Sequence, residues 1–150
     1  MKRIAIQYGL IITAGVIAWV LIAHAIFPPE SQVHSIGAMA FFNILHFVVI
    51  FLGISAFRRI ENESVSFKQS IKMGVLISLV YGLTVSIFFV VVIMIVGDKW
   101  MAAEPGAQQL PSKLLIAQAF AGLFITALVF GLIYSTVISF ALAKRVSRSA

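Results

Sequence analysis

Hydrophobic positions in this chain do not alternate with polar ones; they run together. Four tracts without a charged residue, 4–27, 36–57, 73–97 and 114–143, hold 24, 22, 25 and 30 residues. Each exceeds the roughly 18 to 20 residues a helix needs to cross about 30 Å of hydrocarbon at about 1.5 Å per residue. The pattern predicts an all-α polytopic membrane protein, with four transmembrane helices paired as two antiparallel hairpins in one domain over residues 1–150. The 49 residues outside the tracts are divided among two tails and three connections, too few for a further domain with its own core. A soluble enzyme is thereby excluded.

Composition agrees, at 61% hydrophobic and 11% charged residues with a mean hydropathy of +1.09. Charge adds a direction. Lys2 and Arg3 precede the first tract, Arg58, Arg59, Lys68 and Lys72 lie between the second and third, and Lys144, Arg145 and Arg148 follow the fourth. The alternate segments hold only Lys99 and Lys113, with Glu30, Asp98 and Glu104. Lys and Arg near span ends stay on the cytoplasmic side, so both termini and the middle connection are expected there. Counting Glu61 and Glu63, the inner side nets +7 and the outer side −1. The basic excess therefore points to anionic lipid headgroups, at about 1 kcal/mol per well-placed cation, with Arg58, Arg59, Lys68 and Lys72 as the contacts. It does not point to nucleic acid. Cysteine is absent, which removes disulfides, thiolate nucleophiles and Cys-based metal sites.

The ends of the helices have local signatures. Lys2 and Arg3, an apolar run and Ala23-His24-Ala25 imitate a secretory leader with its cleavage site, but the run is long for one and reads as a retained span. Pro28-Pro29 closes the first helix, and Pro105-Gly106 and Pro111 punctuate the longer outer connection, where Trp100 is placed to anchor at the headgroups. Ser66-Phe67-Lys68-Gln69 has the spacing of a capping box, which starts the third helix ahead of its uncharged tract. Laying Gly9 on Gly74 shows a weak similarity between the first and third helices, attributable to a parallel duplication or to chance among apolar sequences.

Lipid supplies no hydrophobic reason for helices to associate, so contact must come from small residues and interhelical hydrogen bonds. The third tract carries Gly74, Ser78, Gly82 and Ser86, each four apart, and the fourth carries Ala127, Gly131, Ser135, Ser139 and Ala143. Levelling the cytoplasmic ends of the two tracts pairs Gly74 with Ala143, Ser78 with Ser139, Gly82 with Ser135 and Ser86 with Gly131. A shorter stripe, Ala5, Gly9 and Thr13, marks the first helix.

Gly53-Ile54 ahead of Arg58-Arg59, followed by Val65-Ser66-Phe67-Lys68-Gln69-Ser70-Ile71-Lys72-Met73-Gly74, resembles the hallmark tract of a bacterial family of small four-helix integral membrane proteins known only as a domain of unknown function. The resemblance implies the same fold and the bacterial cytoplasmic (inner) membrane. It implies no activity or ligand.

Candidate chemistry is sparse. His46 lies near the middle of the second tract with Asn43 three residues earlier on the same helical face, where an imidazole can relay a proton and the amide could fix its tautomer. The plainer reading is a hydrogen bond from His46 to Ser86, Thr84, Thr13 or a similar hydroxyl. His24 and His34 lie at other depths, which disfavours a bis-histidine haem, and His24, His34, Glu30, Asp98 and Glu104 lack a metal-binding spacing. Gln7, Tyr8 and Gln118 sit near tract ends and should reach toward the interfaces. With no catalytic motif and no cofactor site, the expected role is a structural or partner-binding membrane subunit, associating with itself or with a larger membrane protein. The alternative is an oligomeric transporter or channel subunit with a polar path at His46 and Asn43.

Overall fold

The structure, a computed structural model, describes residues 1–26, 32–61, 65–96 and 112–146. The described residues form four helices: α1 (Lys2–Ile26), α2 (Gln32–Ile60), α3 (Phe67–Val96) and α4 (Ser112–Val146). Within them, Lys2–Ala23, Gly37–Ile60, Phe67–Ile95 and Ile116–Leu142 are long and apolar enough to cross a membrane. The outer connections with Trp100, Glu30, Asp98 and Glu104 lie outside the described residues, as do the side chains of His24, His34 and Ala143.

Each helix reaches past its uncharged tract, because a helix need not stop where the hydrocarbon does. The start of α3 is set as its sequence requires: Gln69 N–H donates to Ser66 Oγ at 3.3 Å, and Ser66 N–H donates to Gln69 Oε1 at 2.8 Å. At 35 residues, α4 is about 52 Å long and exceeds the thickness of the hydrocarbon.

The helices alternate in direction, which is visible in how contacts run along them. Trp19 stacks on Phe41 while Gly15 abuts Leu45, so α1 and α2 are antiparallel. Gly9 meets Val80 and Thr13 meets Thr84, so α1 and α3 are parallel. In cross-section α2 and α3 touch each other, and each touches both α1 and α4, which stand on opposite sides of that central pair. A duplication of the α1–α2 hairpin would pair α1 with α4 as α2 pairs with α3, and the architecture lacks that symmetry. The core is aliphatic, built around Ile12, Ile50, Ile54, Met73, Ile77 and Ile138.

The most extensive contact is between α3 and α4, as their small residues predict, but the register differs from the expected one. A Cβ on Gly74 would meet Ser135, one on Gly131 would meet Ser78, and one on Gly82 would lie 3.0 Å from the Ala127 Cβ. Every partner on α4 is thus eight residues, about 12 Å, closer to the start of that helix than the levelled tracts suggested. Ser86 donates to the Phe120 carbonyl at 3.4 Å instead of facing Gly131. At this register Phe67, the first residue of α3, stands level with Leu142 of α4, because α3 begins well ahead of the first residue of its uncharged tract. The stripe on α1 faces α3, with Ala5, Gly9 and Thr13 all buried and the Gly9 position 2.7 Å from the Val80 Cβ.

Candidate functional site in the membrane interior

Among the described residues three side chain–side chain hydrogen bonds tie the bundle together, and each joins a different pair of helices. His46 on α2 is buried, and its Nε2 lies 2.9 Å from Ser78 Oγ on α3. Among the described residues this is the only hydrogen bond of the imidazole. If the serine donates, Nδ1 carries the imidazole proton; if the imidazole donates, Nε2 does. Asn43, one turn away, does not touch it. The Asn43 Nδ2 donates to the Met39 carbonyl at 2.7 Å, and its Oδ1 accepts from the Tyr134 hydroxyl of α4 at 2.6 Å. The tautomer of His46 is therefore set by Ser78, and Asn43 instead ties α2 to α4.

The third contact is Thr13 on α1 with Thr84 on α3, whose oxygens are 2.6 Å apart. Each hydroxyl also lies within hydrogen-bond distance of a carbonyl of its own helix, Thr13 of Gly9 at 3.0 Å and Thr84 of Val80 at 2.8 Å, so with one proton apiece one donates across and the other to its own helix. Thr13, Thr84 and Ser86 are thus engaged elsewhere, and among the hydroxyls in the middle of the bundle Ser78 is the one at His46. That serine belongs to the small-residue stripe, so the imidazole is joined to the α3–α4 interface.

Two tyrosines that no sequence motif marks complete this layer. Tyr81 and Tyr134 hold their rings 4.9 and 5.5 Å from the His46 ring, so apolar and aromatic surface encloses the imidazole on the sides that Ser78 leaves open. Phe47 and Phe130 pack on Tyr134 in turn. A phenol in the middle of an uncharged tract must find a hydrogen-bond partner in lipid, which is the cue that would have singled out Tyr134. No hydrogen bond among the described residues links the His46–Ser78 pair to the Asn43–Tyr134 pair, which meet through the edge-to-face contact of the His46 and Tyr134 rings. No group of three His, Cys, Asp or Glu that could hold a metal occurs among the described residues.

All the described basic residues except Lys113, at the start of α4, collect at one end of the bundle. Lys2 and Arg3 begin α1, Arg58 and Arg59 end α2, and Lys68 and Lys72 occupy the first turns of α3, all on the same side because the helices alternate in direction. All of them are exposed except Arg58, which is half-buried. Lys68 and Lys72 are four apart, so their ammonium groups leave α3 on one face and can run outward along its apolar surface toward phosphate depth.

The family described as "Protein of unknown function (DUF4199)" matches residues 7–110, which takes in nearly all of α1 and the whole of α2 and α3. The tract from Gly53 to Gly74 lies inside that match. No curated protein and no solved structure matches the chain.

Proposed function

The chain belongs to the DUF4199 family, and we propose that it is a multi-pass protein of the bacterial inner membrane that works by association, as a structural or partner-binding subunit without catalytic activity or cofactor. Both termini and the α2–α3 connection face the cytoplasm, with Arg58, Arg59, Lys68 and Lys72 on anionic headgroups. The observation that carries this reading is that His46, Asn43 and Thr13 each close on a polar group of another helix, while the buried Ser139 hydroxyl and Trp19 indole N–H have no hydrogen-bond partner among the described residues. His46 is spent on Ser78, Asn43 on Tyr134 and Thr13 on Thr84, each between two helices. Groups used this way bind helices together, and among the described residues they form no chain of hydrogen bonds along which a proton or solute could be passed.

Crosslinking in the native membrane from cysteines introduced singly on the lipid-facing surfaces tests the association role. Capture of a discrete partner, or of a second copy, supports it; an uncrosslinked chain from every face refutes it. For topology, Ser66→Cys and Lys113→Cys should react with an impermeant maleimide from opposite sides of the membrane. The oligomeric transporter or channel reading, with a polar path near His46 and Asn43, predicts a proton or solute leak in liposomes that His46→Leu abolishes. Association alone predicts no leak at any pH.

A further inference from the structure

The eight described glycines divide sharply. At seven, a neighbouring side chain lies within 4 Å of where a Cβ would stand, and six of these (Gly9, Gly15, Gly53, Gly74, Gly82 and Gly131) are contacted at 3.0 Å or less. At Gly122 nothing lies within 4 Å. A glycine inside a helix costs stability unless something approaches its backbone closely, and here the bundle supplies nothing. Gly122 is nine residues from Gly131, two and a half turns, so it points directly away from the α3 interface.

The residues four before and four after Gly122 are Gln118 and Thr126, both exposed. Thr13, Thr84 and Thr136 each have a backbone carbonyl within hydrogen-bond distance, whereas Thr126 has no hydrogen bond among the described residues. Exposure on this face means exposure to hydrocarbon, which can neither donate nor accept, so an unpaired hydroxyl there is as deprived as one in a protein core. The face is a polar, small, polar series on the half of α4 away from the basic end. Among the four spans α4 is also the least covered by the rest of the bundle.

We infer that this face is where a second copy of the same chain docks, α4 against α4, running parallel and crossing at Gly122. This deepens the association role proposed above by naming the partner. The partner follows from the chemistry of the two polar side chains. A threonine hydroxyl and a glutamine amide each carry both a donor and an acceptor, so each is satisfied by its own copy across a two-fold axis along the membrane normal. Thr13 and Thr84 already meet in this manner within the bundle, at 2.6 Å. Gly122 lets the helices approach closely enough for those bonds, as small residues do in lipid.

The test uses the full chain, which has no native cysteine. Val129→Cys, on the same face one turn further along, should give a disulfide-linked pair when membranes are oxidised with copper phenanthroline, and Ile11→Cys on α1 should not. Energy transfer between chains labelled at Ser66→Cys in liposomes should show association that Gly122→Ile weakens at least tenfold. Thr126→Val should weaken it and Thr126→Ser retain it. Circular dichroism and elution from a sizing column will show Gly122→Ile to be folded, since no atom obstructs it. Absence of transfer in the wild type, transfer indifferent to Gly122→Ile, or equal crosslinking from Ile11→Cys would each overturn the pairing. A chain that is monomeric by these measures but crosslinks to another membrane protein likewise overturns it, and leaves the association role standing.

Discussion

Ser78 fills the notch above Gly131: a Cβ on that glycine would clash with the serine Cβ and Oγ. The same serine reaches His46 with its hydroxyl, so one short side chain on α3 holds both α4 and α2. Any change at either neighbour is felt at the other.

Gly131→Ala should therefore destabilise the bundle. The new methyl meets a stiff, buried side chain whose backbone is close behind, and overpacking of this kind costs about 1–3 kcal/mol. The better helix propensity of alanine returns about 1 kcal/mol at most. Unfolding by SDS from mild detergent should show a net loss. Gly122→Ala, where the added methyl meets nothing, should show no loss or a gain of up to about 1 kcal/mol. A loss at Gly122 as large as that at Gly131 would contradict the packing described.

Register is tested by paired cysteines. Gly82→Cys with Ala127→Cys should oxidise to a disulfide, because their Cβ positions are 3.0 Å apart. Gly82→Cys with Ser135→Cys, the pairing obtained by levelling the uncharged tracts, is about 12 Å out of register and should stay reduced.

That pair of experiments also marks the limit of what was legible. The four spans could be read from uninterrupted apolar length, and the start of α3 from Ser66 and Gln69, since both depend on local chemistry. The residues that meet across α3 and α4 could be read as well, because only small side chains permit close approach. Which meets which could not. A stripe with a period of four fits its partner equally well after a slide of four or eight residues, so periodicity selects the faces and leaves the register free. The partner of His46 depends on the register of α2 against α3, which no stripe marks, although its kind, a serine or threonine hydroxyl, is legible. Asn43 was assigned to His46 by helical proximity, and the tyrosine on α4 that engages it lies 91 positions along the chain.

The His46–Ser78 bond should be asymmetric under substitution. In His46→Leu the serine can rotate to donate to the Gly74 carbonyl one turn back, as Ser and Thr hydroxyls in helices do, so little is left unpaired. In Ser78→Val the imidazole loses its only hydrogen-bond partner among the described residues while buried, a penalty of about 1–3 kcal/mol, and the added branch presses on Gly131. SDS unfolding should rank Ser78→Val as the less stable of the two. The reverse order would mean that the imidazole has another partner.

Thr13 and Thr84 make a double-mutant cycle informative. Two hydroxyl oxygens 2.6 Å apart must share one proton, yet each can also donate to a carbonyl of its own helix. One threonine must therefore forgo its backbone bond to make the interhelical one, and the net value of the contact is reduced by what it displaces. The coupling energy between Thr13→Val and Thr84→Val should fall near the average of about 0.6 kcal/mol for membrane interhelical hydrogen bonds, and below their upper value of about 1.7 kcal/mol. Each single substitution should cost nearly as much as the pair, since removing either hydroxyl ends the shared bond and frees the other to return to its own carbonyl. Strict additivity would show instead that both hydroxyls remain on their carbonyls and that α1 is held to α3 by the close approach at Gly9 alone.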